Sequence, residues 1–578
     1  MSSSALTAQS RTQALAAMSG GEPLDVLVVG GGVTGAGIVL DAATRGLRTG
    51  IVDMQDWAGG TSSYSSKLVH GGVRYLYQLD LKLVAEGLRE RGILLTKTAP
   101  HLVKAQPFIW PLKQPVIERI YSALGIGLYD AMAVIGMRGK AVPTQKHYSR
   151  DGVRKIFPDV RADKLVGGIK FYDARVDDAR LVMTLVRTAQ QFGAQAAART
   201  QVVDYVTGPG GRVTGAAVVD LETGERHVIN ARHVINATGV WTEDTQGLAT
   251  DEGGLQVLAS KGIHVVVPKE RIKGEAGLFL RTEKSVLFII PWQRYWIIGT
   301  TETPWEQERL HPVATRADVD YILEHANAVL SSDLTFDDLI GVYAGLRPLV
   351  QPGSDAGGST KVSRDHTVIE PAPGLTVISG GKLTSYRLMA EHAVDHALGQ
   401  ARAKANPSVT PDTPLVGAPR LKAVTRQAPQ LAARYGWNRD RMEHLLGRYG
   451  ADISAITDIV DADPEMGEPL ESASAYLRAE VVMAVTHEGA LHLEDVVMRR
   501  LRLFYEARDR GLTAVEEIAA IMGPLLGWDE TTTRTEIDSY TQLAAAEEAA
   551  LGTLTDAEAE AARLVVEDLV PLVPLEDD

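Results

Sequence analysis

The stretch Asp25–Gly35, DVLVVGGGVTG, decides the fold of the N-terminal part of the chain. Its apolar, β-branched first half is typical of a buried parallel strand, and a run of glycines follows where that strand would end. Residues 33–45 then predict a helix, and residues 48–53 predict a second strand. A strand, a helix and a second strand within about 30 residues form a βαβ unit, so the stretch predicts a Rossmann-like domain.

The glycines of this turn, Gly30, Gly32 and Gly35, have the G-x-G-x-x-G spacing of dinucleotide-binding proteins. The first permits the tight turn, the second lets a pyrophosphate approach the backbone, and the third lets the helix pack closely on the strand. Free N–H groups at the start of the helix would then stabilise the anion. Asp53 follows about 20 residues further on, where a carboxylate accepts hydrogen bonds from a ribose diol and repels a 2′-phosphate. We predict a dinucleotide site that disfavours NADP.

Composition excludes several classes of protein. The net charge of −14 argues against a nucleic-acid binder, because that role generally requires a basic surface. The chain has no cysteine, which excludes disulfides, thiolate nucleophiles, Fe–S clusters and cysteine-ligated zinc, and which fits a reducing cytoplasm. Redox chemistry would therefore use a bound organic cofactor. We predict no metal site, because Asp173, Asp177 and Asp178, although clustered, are expected to cap a helix.

The two ends of the chain differ from its middle. Residues 1–22 lack the features of a signal peptide and predict a flexible tail with at most one short helix. The nearest approach to a membrane span, residues 120–137, contains Asp130 and is predicted to be a surface or interface segment. Strand signals alternate with helices, such as those expected at 178–192 and 384–398, up to about residue 405. After a linker with three prolines, residues 406–578 predict an all-helical C-terminal domain.

Three further segments favour FAD over NAD. Residues 60–75 predict a loop rich in hydroxyl groups and glycine, which would supply donors along an extended dinucleotide. Residues 234–239 and 378–384 each predict a strand that ends in a small-residue turn, and Lys382 would place positive charge beside a flavin ring. Besides the glycine turn and Asp53, the predicted cofactor-binding residues are Thr61, Ser62, Ser63, Lys67, His70, Gly71, Thr238, Gly239, Gly381, Lys382, Leu383 and Thr384.

Seven segments together resemble the FAD-dependent, respiratory-type glycerol-3-phosphate dehydrogenases. In chain order they are GGGVTGAGIVLDAATRG, TSSYSSKLVHGGVRYL, YDARVDDARL, VINATG, GLRPL, SRDHT and GGKLTSYR. The resemblance covers most of residues 24–395, and the helical remainder looks like the C-terminal domain of that family. Tyr64 departs from the family pattern, in which we expect a small residue or Arg, and we expect it to alter the flavin contacts without removing them.

This resemblance implies an α/β fold in which the FAD-binding domain is split and a sheet-containing substrate domain is inserted into it. We expect the FAD domain to comprise residues 23–95, 160–255 and 345–405, and the substrate domain to comprise residues 96–159 and 256–344. The resemblance also implies oxidation of sn-glycerol 3-phosphate to dihydroxyacetone phosphate, with electrons passed to membrane quinone. It further implies a cytoplasmic enzyme attached peripherally to the inner face of the cell membrane, and it leaves a homodimer open.

The expected chemistry needs a phosphate anchor and a proton acceptor. The resemblance places Arg74, Arg347 and Arg364 as the phosphate anchor, with Tyr75 as a hydroxyl donor, because guanidinium groups match phosphate oxygens in pairs. His264 is the expected proton acceptor, since an imidazole pKa near ~6.5 suits a base at neutral pH. Lys382 is a rival base or polarises the flavin, and Arg347 is expected to act in catalysis as well as binding.

Other interpretations remain open at this point. Each arginine could instead form a structural salt bridge, and His264 could be a core histidine bonded to backbone. The chain could be a glycerol-3-phosphate oxidase that uses oxygen, a flavin oxidase of amino acids or N-methyl amines, or a catalytically silent flavoprotein. Residues 101–150 combine aromatic and basic side chains, which favours contact with an anionic lipid surface slightly over an ordinary domain core.

Overall fold

A computed structural model describes residues 3–72, 80–112, 127–129, 131–132, 141–250, 253–281, 286–351 and 366–575. Within these residues the chain forms a parallel nucleotide-binding sheet covered by helices, a second and larger sheet, and a C-terminal helical domain. The predicted α/β fold with a helical C-terminal domain is confirmed.

The first sheet is built around the strand predicted from the opening stretch. Its described strands are β1 (Val26–Val29), β2 (Thr49–Val52), β7 (Gln195–Ala197), β11 (Val234–Asn236), β18 (Thr367–Ala372) and β19 (Leu375–Ser379). β1 lies between β2 and β11 and pairs with both in parallel, and the order across the sheet is β18-β19-β11-β1-β2-β7. Among these described strands, only the edge strand β18 runs antiparallel to its neighbour.

Three helices pack together on one face of this sheet and bury an apolar core with it. They are α2 (Val33–Thr44), α5 (Asp178–Gln191) and α8 (Tyr386–Leu398). A small antiparallel sheet encloses a second core on the opposite face. Its strands are β8 (Thr200–Thr207), β9 (Val213–Asp220) and β10 (Arg226–Asn230). Both faces of the nucleotide-binding sheet are therefore covered, which explains why β1 and β2 are buried along their whole length.

The described strands of the second sheet are β3 (Leu68–Val69), β4 (Lys104–Leu112), β5 (Lys146–Ser149), β6 (Gly167–Arg175), β12 (Gln256–Pro268), β13 (Gly277–Arg281), β14 (Val286–Trp292), β15 (Tyr295–Gly299), β16 (Thr303–Pro304) and β17 (Gly341–Gln351). Their order across the sheet is β16-β12-β15-β14-β13-β4-β6-β3, with β17 also paired to β12 and β5 to β6. Other helices whose bounds lie within the described part of the first 405 residues are α1 (Ala8–Gly20), α3 (Leu81–Ile93), α4 (Arg150–Ile156), α6 (Thr242–Gly247), α7 (Arg316–Asn327) and α9 (Gln400–Ala405).

Two expected domain boundaries differ from the sheets. β6 pairs with β4 along nine residues, so residues 167–175 belong to the second sheet although they were expected in the FAD domain. β17 pairs with β12 as far as Gln351, so the second sheet also extends past residue 344. Pairing between strands distant in the chain decides both boundaries, and the local sequence pattern does not contain it.

The N-terminal segment is a correction to the predicted flexible tail. α1 begins with a capping box formed by Thr7 and Ser10, and Leu15 and Met18 on this helix are buried. Arg11 forms a buried ion pair with Asp220 of β9. The low hydropathy of the segment predicted a mobile tail, but a few apolar side chains and one buried arginine fix the helix to the sheet.

The C-terminal helices pack on the nucleotide-binding region and on the second sheet. They are α10 (Leu421–Tyr435), α11 (Arg439–Tyr449), α12 (Ile453–Ala462), α13 (Arg478–Glu488), α14 (Leu503–Glu506), α15 (Val515–Leu526), α16 (Glu530–Leu551) and α17 (Asp556–Arg563). Buried ion pairs cross the interface, with Arg180 to Glu488 at 2.6 Å and Arg502 to Asp177 at 2.6 Å. Among the described residues, no helix combines the length and the apolar character needed to cross a membrane.

Candidate active site

The glycine turn after β1 has the geometry of a nucleotide site. Gly30 has a φ of +109°, and a Cβ there would lie 2.6 Å from the carbonyl oxygen of Ala237. A Cβ on Gly35 would lie 1.8 Å from the carbonyl oxygen of Gly30, so the strand and helix touch there. A Cβ on Gly32, in contrast, would meet only the Ser62 hydroxyl, at 3.2 Å. The turn therefore leaves space at Gly32, which is the position where backbone contacts a pyrophosphate.

The side chains around this turn include two predicted cofactor residues. Ser62 accepts a hydrogen bond from the backbone N–H of Val33 at 2.9 Å, so its hydroxyl lies at the start of α2. Asp53 accepts hydrogen bonds from the backbone N–H groups of Gly31 and Gln55. Burial raises the pKa of Asp53 to about 6, although these two hydrogen bonds oppose the shift. The structure brings Asp53, Ser62 and the glycines together as the sequence predicts.

Other predicted residues of the loop 60–71 support the loop itself. The Thr61 hydroxyl donates to the carbonyl of Leu346 at 2.6 Å, and the buried Ser63 hydroxyl donates to the carbonyl of Ala58 at 2.7 Å. Lys67 is fully buried, has a φ of +55°, and pairs with Asp178 at 2.5 Å. Its ammonium group therefore stabilises the loop from inside, and the predicted contact of Lys67 with the cofactor stays a prediction.

The remaining predicted cofactor residues lie at two further turns. Thr238 and Gly239 follow β11, whose last residue pairs with the end of β1, and Gly239 has a φ of +63°. The backbone N–H of His70 donates to the Thr384 hydroxyl at 2.9 Å, so the loop that contains His70 and Gly71 contacts the turn that contains Lys382 and Leu383. Gly381 in that turn has a φ of +80°. These turns lie at the same edge of the parallel sheet as the glycine turn, since they follow its strands β1, β11 and β19.

His264 lies in a row of three residues across the second sheet. It pairs with Tyr343 of β17 on one side and with Gly299 of β15 on the other. The rings of His264 and Tyr343 stack with centroids 4.8 Å apart and an interplanar angle of 16°. A Cβ on Gly299 would lie 2.3 Å from Cδ2 of His264, so glycine is needed there to make room for the ring.

The polar contacts of His264 distinguish its two nitrogens. Nε2 lies 2.8 Å from the Ser66 hydroxyl, whereas the buried Nδ1 has no hydrogen-bond partner among the described residues. Burial, together with the positive charges of Arg347 and Lys67, lowers the pKa of His264 well below its usual value. The ring is therefore neutral at neutral pH, as a base must be, but the ordinary imidazole pKa that we expected does not apply to it.

Arg347 lies on the same face of the sheet as His264. Residues 343, 345 and 347 of β17 face residues 264, 262 and 260 of β12, and alternate residues of a strand share a face. The guanidinium group of Arg347 donates to the Thr300 hydroxyl at 2.9 Å and to the Thr301 carbonyl at 3.1 Å. Gly262 makes room for it, because a Cβ there would lie 2.3 Å from the guanidinium group. Arg74, Tyr75 and Arg364, the other expected substrate residues, lie outside the described residues.

Tyr64 packs between β17 and the C-terminal domain. Its ring centroid is 6.4 Å from that of Tyr343, and it packs against Gly345. It lines a cavity between the loop at residues 54–64 and the C-terminal domain. The departure from the family pattern therefore lies where this loop meets the C-terminal helices, and its effect on the flavin contacts stays a prediction.

Several residues that contact His264 or Arg347 were not predicted from the sequence. Ser66 lies in the same hydroxyl-rich motif as the predicted residues Thr61, Ser62 and Ser63, but the motif alone does not indicate which hydroxyl contacts His264. Tyr343, Gly299 and Thr300 gave no local signal, since their role depends on strand register. The clustered aspartates are accounted for by contacts within the protein, as Asp177 caps α5, Asp178 pairs with Lys67, and Asp173 pairs with Arg91 at 2.5 Å.

These features fit a flavin dinucleotide. The open position at Gly32, the carboxylate of Asp53 and the turns at residues 238–239 and 381–384 would hold the cofactor along the edge of the sheet. The buried Nδ1 of His264 is a polar atom that needs a hydrogen-bond partner from outside the described protein residues. A bound group or substrate would supply it.

Comparison with known proteins agrees with this geometry. A family model described as FAD dependent oxidoreductase matches residues 25–395, and one described as C-terminal domain of alpha-glycerophosphate oxidase matches residues 408–533. Glycerol-3-phosphate dehydrogenase 2 of Mycobacterium tuberculosis is 47% identical over 521 residues, which are 90% of this chain and 88% of that protein. The chain belongs to the FAD-dependent glycerol-3-phosphate dehydrogenase family. FAD is the cofactor of this dehydrogenase, as predicted.

More distant relatives share the same architecture. The mitochondrial glycerol-3-phosphate dehydrogenase of Bos taurus is 34% identical over 540 residues, covering 89% of this dehydrogenase and 72% of the bovine protein. The structure of the glycerol-3-phosphate dehydrogenase from Bacillus halodurans complexed with FAD has a TM-score of 0.76 and 28% identity, and covers 92% of this chain and 97% of that one. An L-alpha-glycerophosphate oxidase from Mycoplasma pneumoniae, at 18% identity and a TM-score of 0.51, shares the fold.

Proposed function

We propose that this dehydrogenase oxidises sn-glycerol 3-phosphate at C2 to dihydroxyacetone phosphate and passes the electrons to membrane quinone. The observation that carries the proposal is the convergence of His264 and Arg347 on one face of the second sheet. Thr300 bonds to Arg347 and directly follows Gly299, which contacts the His264 ring. A neutral imidazole and a guanidinium group so arranged suit a substrate that has a hydroxyl group near a phosphate.

Arg347 would bind the substrate phosphate. Its guanidinium group is already oriented by Thr300 and the Thr301 carbonyl, so little conformational freedom remains to be lost when an anion binds. The family resemblance implies that Arg74, Arg364 and Tyr75 complete this anchor. Several guanidinium groups around one anion favour a phosphate over the amine of an N-methyl amine substrate.

His264 would accept the proton of the C2 hydroxyl, while bound FAD supplies the hydride acceptor at flavin N5. Before substrate binds, burial lowers the pKa of His264 and keeps it neutral, and the charges of Arg347 and Lys67 add to this effect. A phosphate dianion at Arg347 would offset that positive charge and raise the proton affinity of His264. The substrate would thereby strengthen the base at the time when the base is needed. Lys382 would polarise the flavin from the turn before α8.

An anaerobic titration tests this reaction. We expect sn-glycerol 3-phosphate to bleach the visible flavin absorbance stoichiometrically, and we expect sn-glycerol 1-phosphate and glycerol to leave it unchanged. Bleaching by an amino acid or an N-methyl amine, with none by glycerol 3-phosphate, would overturn the proposal. A protein whose flavin no such substrate reduces would be the silent flavoprotein instead.

The electron acceptor is tested with the same reduced protein. We expect rapid reoxidation by a short-chain quinone and slow reoxidation by dissolved oxygen. The reverse order of rates would identify an oxidase, which is the second candidate because the C-terminal domain matches a family model described for an oxidase.

We also propose that the enzyme is cytoplasmic and binds the inner face of the membrane peripherally, close to its quinone. The aromatic segment that suggested this contact is in part a core segment, since Phe108, Trp110 and Tyr129 are buried. Leu128, at 43% exposed, supports the proposal. Flotation of the holoenzyme with anionic vesicles tests it, and failure to float at low ionic strength would contradict it.

A further inference from the structure

We propose that the C-terminal helical domain positions His264: Tyr505 supports Tyr343, and Tyr343 and Ser66 hold the imidazole so that Nδ1 accepts the substrate proton. The proposal rests on the proposed function, in which His264 is the base. It gives the C-terminal domain a specific part in the reaction, although that domain contributes none of the predicted cofactor or substrate residues.

The first observation is a continuous stack of aromatic rings. The Tyr343 ring lies 4.8 Å from that of His264 and 4.9 Å from that of Tyr505, measured between centroids. The ring of Tyr343 therefore contacts the proposed base and a residue of α14. Any shift of Tyr505 would be transmitted to His264 through one intervening ring, because packed interiors leave few voids that absorb it.

The second observation is that Tyr505 is fixed in place. α14 packs directly on β17, since a Cβ on Gly341 would lie 2.2 Å from the carbonyl oxygen of Tyr505. On either side of Tyr505, Arg502 pairs with Asp177 at 2.6 Å, and Glu506 accepts a hydrogen bond from Tyr295 at 2.7 Å. The helix is thus held by the nucleotide-binding region and by the second sheet.

The third observation is a buried cation beside the same rings. The ammonium group of Lys67 lies 5.4 Å from the Tyr343 ring centroid and 5.3 Å from that of Tyr505. The Tyr343 hydroxyl donates to the carbonyl of Ser65 at 3.1 Å. Desolvated cation–π contacts are stronger than exposed ones, so Lys67 and the backbone of its loop stabilise the stack.

The fourth observation assigns the nitrogens of His264. Gly299 covers the Cδ2 edge of the ring, Tyr343 covers a face, and Ser66 bonds to Nε2. Nδ1 is buried and has no hydrogen-bond partner among the described residues, so we assign it to the substrate hydroxyl. For Nδ1 to accept a proton, Nε2 must carry the hydrogen and donate it to the Ser66 hydroxyl. Ser66 is therefore a positioning residue that selects the tautomer.

The experiment measures the rate constant of anaerobic flavin reduction by sn-glycerol 3-phosphate in the holoenzyme. We expect Tyr505→Leu to lower this rate constant about tenfold or more, because a small misplacement of a reacting group lowers the reaction rate strongly. FAD content and substrate affinity should stay at the wild-type level. Tyr343→Phe, which keeps the ring, should remain within about threefold of wild type. The control is Tyr540→Leu, which should not change the rate constant. Tyr540 is a buried tyrosine of the same domain, and its hydroxyl donates to the backbone carbonyl of Arg510.

A double-mutant cycle separates positioning from general damage. In a His264→Ala background, Tyr505→Leu should cause no further loss of rate, since its effect acts through the imidazole. An equal loss in both backgrounds would overturn the proposal and assign Tyr505 a structural role. A wild-type reduction rate in His264→Ala alone would instead overturn the assignment of the base in the proposed function. If Tyr505→Leu does not fold, Tyr343→Leu provides the same cycle.

A second readout does not depend on activity. In the 15N-histidine NMR spectrum of the holoenzyme, the signal lost in His264→Ala should have the shifts of an Nε2–H tautomer. Ser66→Ala and Tyr505→Leu should change those shifts, and Ser66→Thr should restore them. An Nδ1–H tautomer in the wild-type protein would overturn the proposal.

Discussion

The carboxylate of Asp53, at the end of β2, accepts a hydrogen bond from the backbone N–H of Gly31 in the glycine turn. The residue expected to bind the ribose therefore also helps to hold the turn expected to bind the pyrophosphate. Since burial raises the pKa of this carboxyl to about 6, its charge changes close to neutral pH.

We predict that FAD affinity falls as the pH is lowered through 6. Above that pH Asp53 is an acceptor for both Gly31 and a ribose hydroxyl, whereas below it the protonated carboxyl loses acceptor capacity. Titration of apoprotein with FAD, followed by flavin fluorescence, should give about tenfold weaker binding at about pH 5 than at about pH 8. Asp53→Asn should bind weakly at both pH values. Equal pH dependence in the variant and the wild type would contradict this role.

The glycine turn gives a matched pair of variants. Gly32→Ala should fold normally but lose FAD, because its Cβ meets only a hydroxyl in the protein and would occupy the space at the pyrophosphate. Gly35→Ala should fail to fold stably, because its Cβ would lie 1.8 Å from a backbone oxygen. Far-ultraviolet circular dichroism and flavin absorbance distinguish the two. Gly447→Ala, a helical position with open space around it, is the neutral control. Normal FAD content in Gly32→Ala would refute the pyrophosphate assignment.

Arg347→Ala should raise the KM for glycerol 3-phosphate about 100-fold while FAD stays bound, because a half-buried charged partner of the anion is lost. The KM of Arg347→Lys should lie between those of Arg347→Ala and the wild type, since lysine keeps the charge but not the paired donors. Steady-state kinetics with a quinone acceptor measures both, and the exposed Arg426→Ala on α10 is the control. Loss of flavin from Arg347→Ala would show that this arginine supports the cofactor site instead.

The junction of the C-terminal domain should weaken at high pH. His492 bonds to Glu536 at 2.7 Å and to Glu222 at 3.0 Å, which joins α16 to the turn after β9. Although burial lowers it, these hydrogen bonds raise the pKa of His492 to about 10. The stabilisation is therefore complete below the unfolded pKa near ~6.5 and is lost as the pH rises through 10.

Denaturation of the holoenzyme at about pH 7 tests this pair of hydrogen bonds, and His492→Gln should lower the free energy of unfolding by about 2 kcal/mol. At about pH 10.5 the variant and the wild type should be almost equally stable. His147→Gln, at an exposed strand position, should have no effect at either pH. A constant difference between His492→Gln and wild type at both pH values would contradict the linkage.

Local pattern predicted the parts of the fold that depend on neighbouring residues. The opening βαβ unit was predicted within a few residues, and the helix expected at 178–192 is Asp178–Gln191. The pairing of β6 with β4 was not predicted, because it joins segments about sixty residues apart, and the sequence pattern of a strand does not indicate which other strand it pairs with. The packed N-terminal helix was missed as well, since its Ser- and Ala-rich composition outweighed the capping pair Thr7 and Ser10.

The site was predicted where chemistry limits the choice of residue. Glycines in a tight turn, an acid at a strand end and a histidine in an apolar strand all came from residue type and spacing. Ser66, Tyr343 and Tyr505 could not be predicted as partners of His264, because their contacts depend on strand register and on the docking of α14 against β17.

The N-terminal segment has a practical consequence for anyone who prepares this enzyme. Leu6 exchanges backbone hydrogen bonds with His487 and Gly489 of the C-terminal domain, while Arg11, a few residues later, bonds to Ala198 and Asp220 of the nucleotide-binding region. Deletion of the first twenty residues would remove these contacts between two domains. It would also expose the apolar surface against which Leu15 and Met18 pack. A purification tag should therefore extend this end of the chain and not replace it.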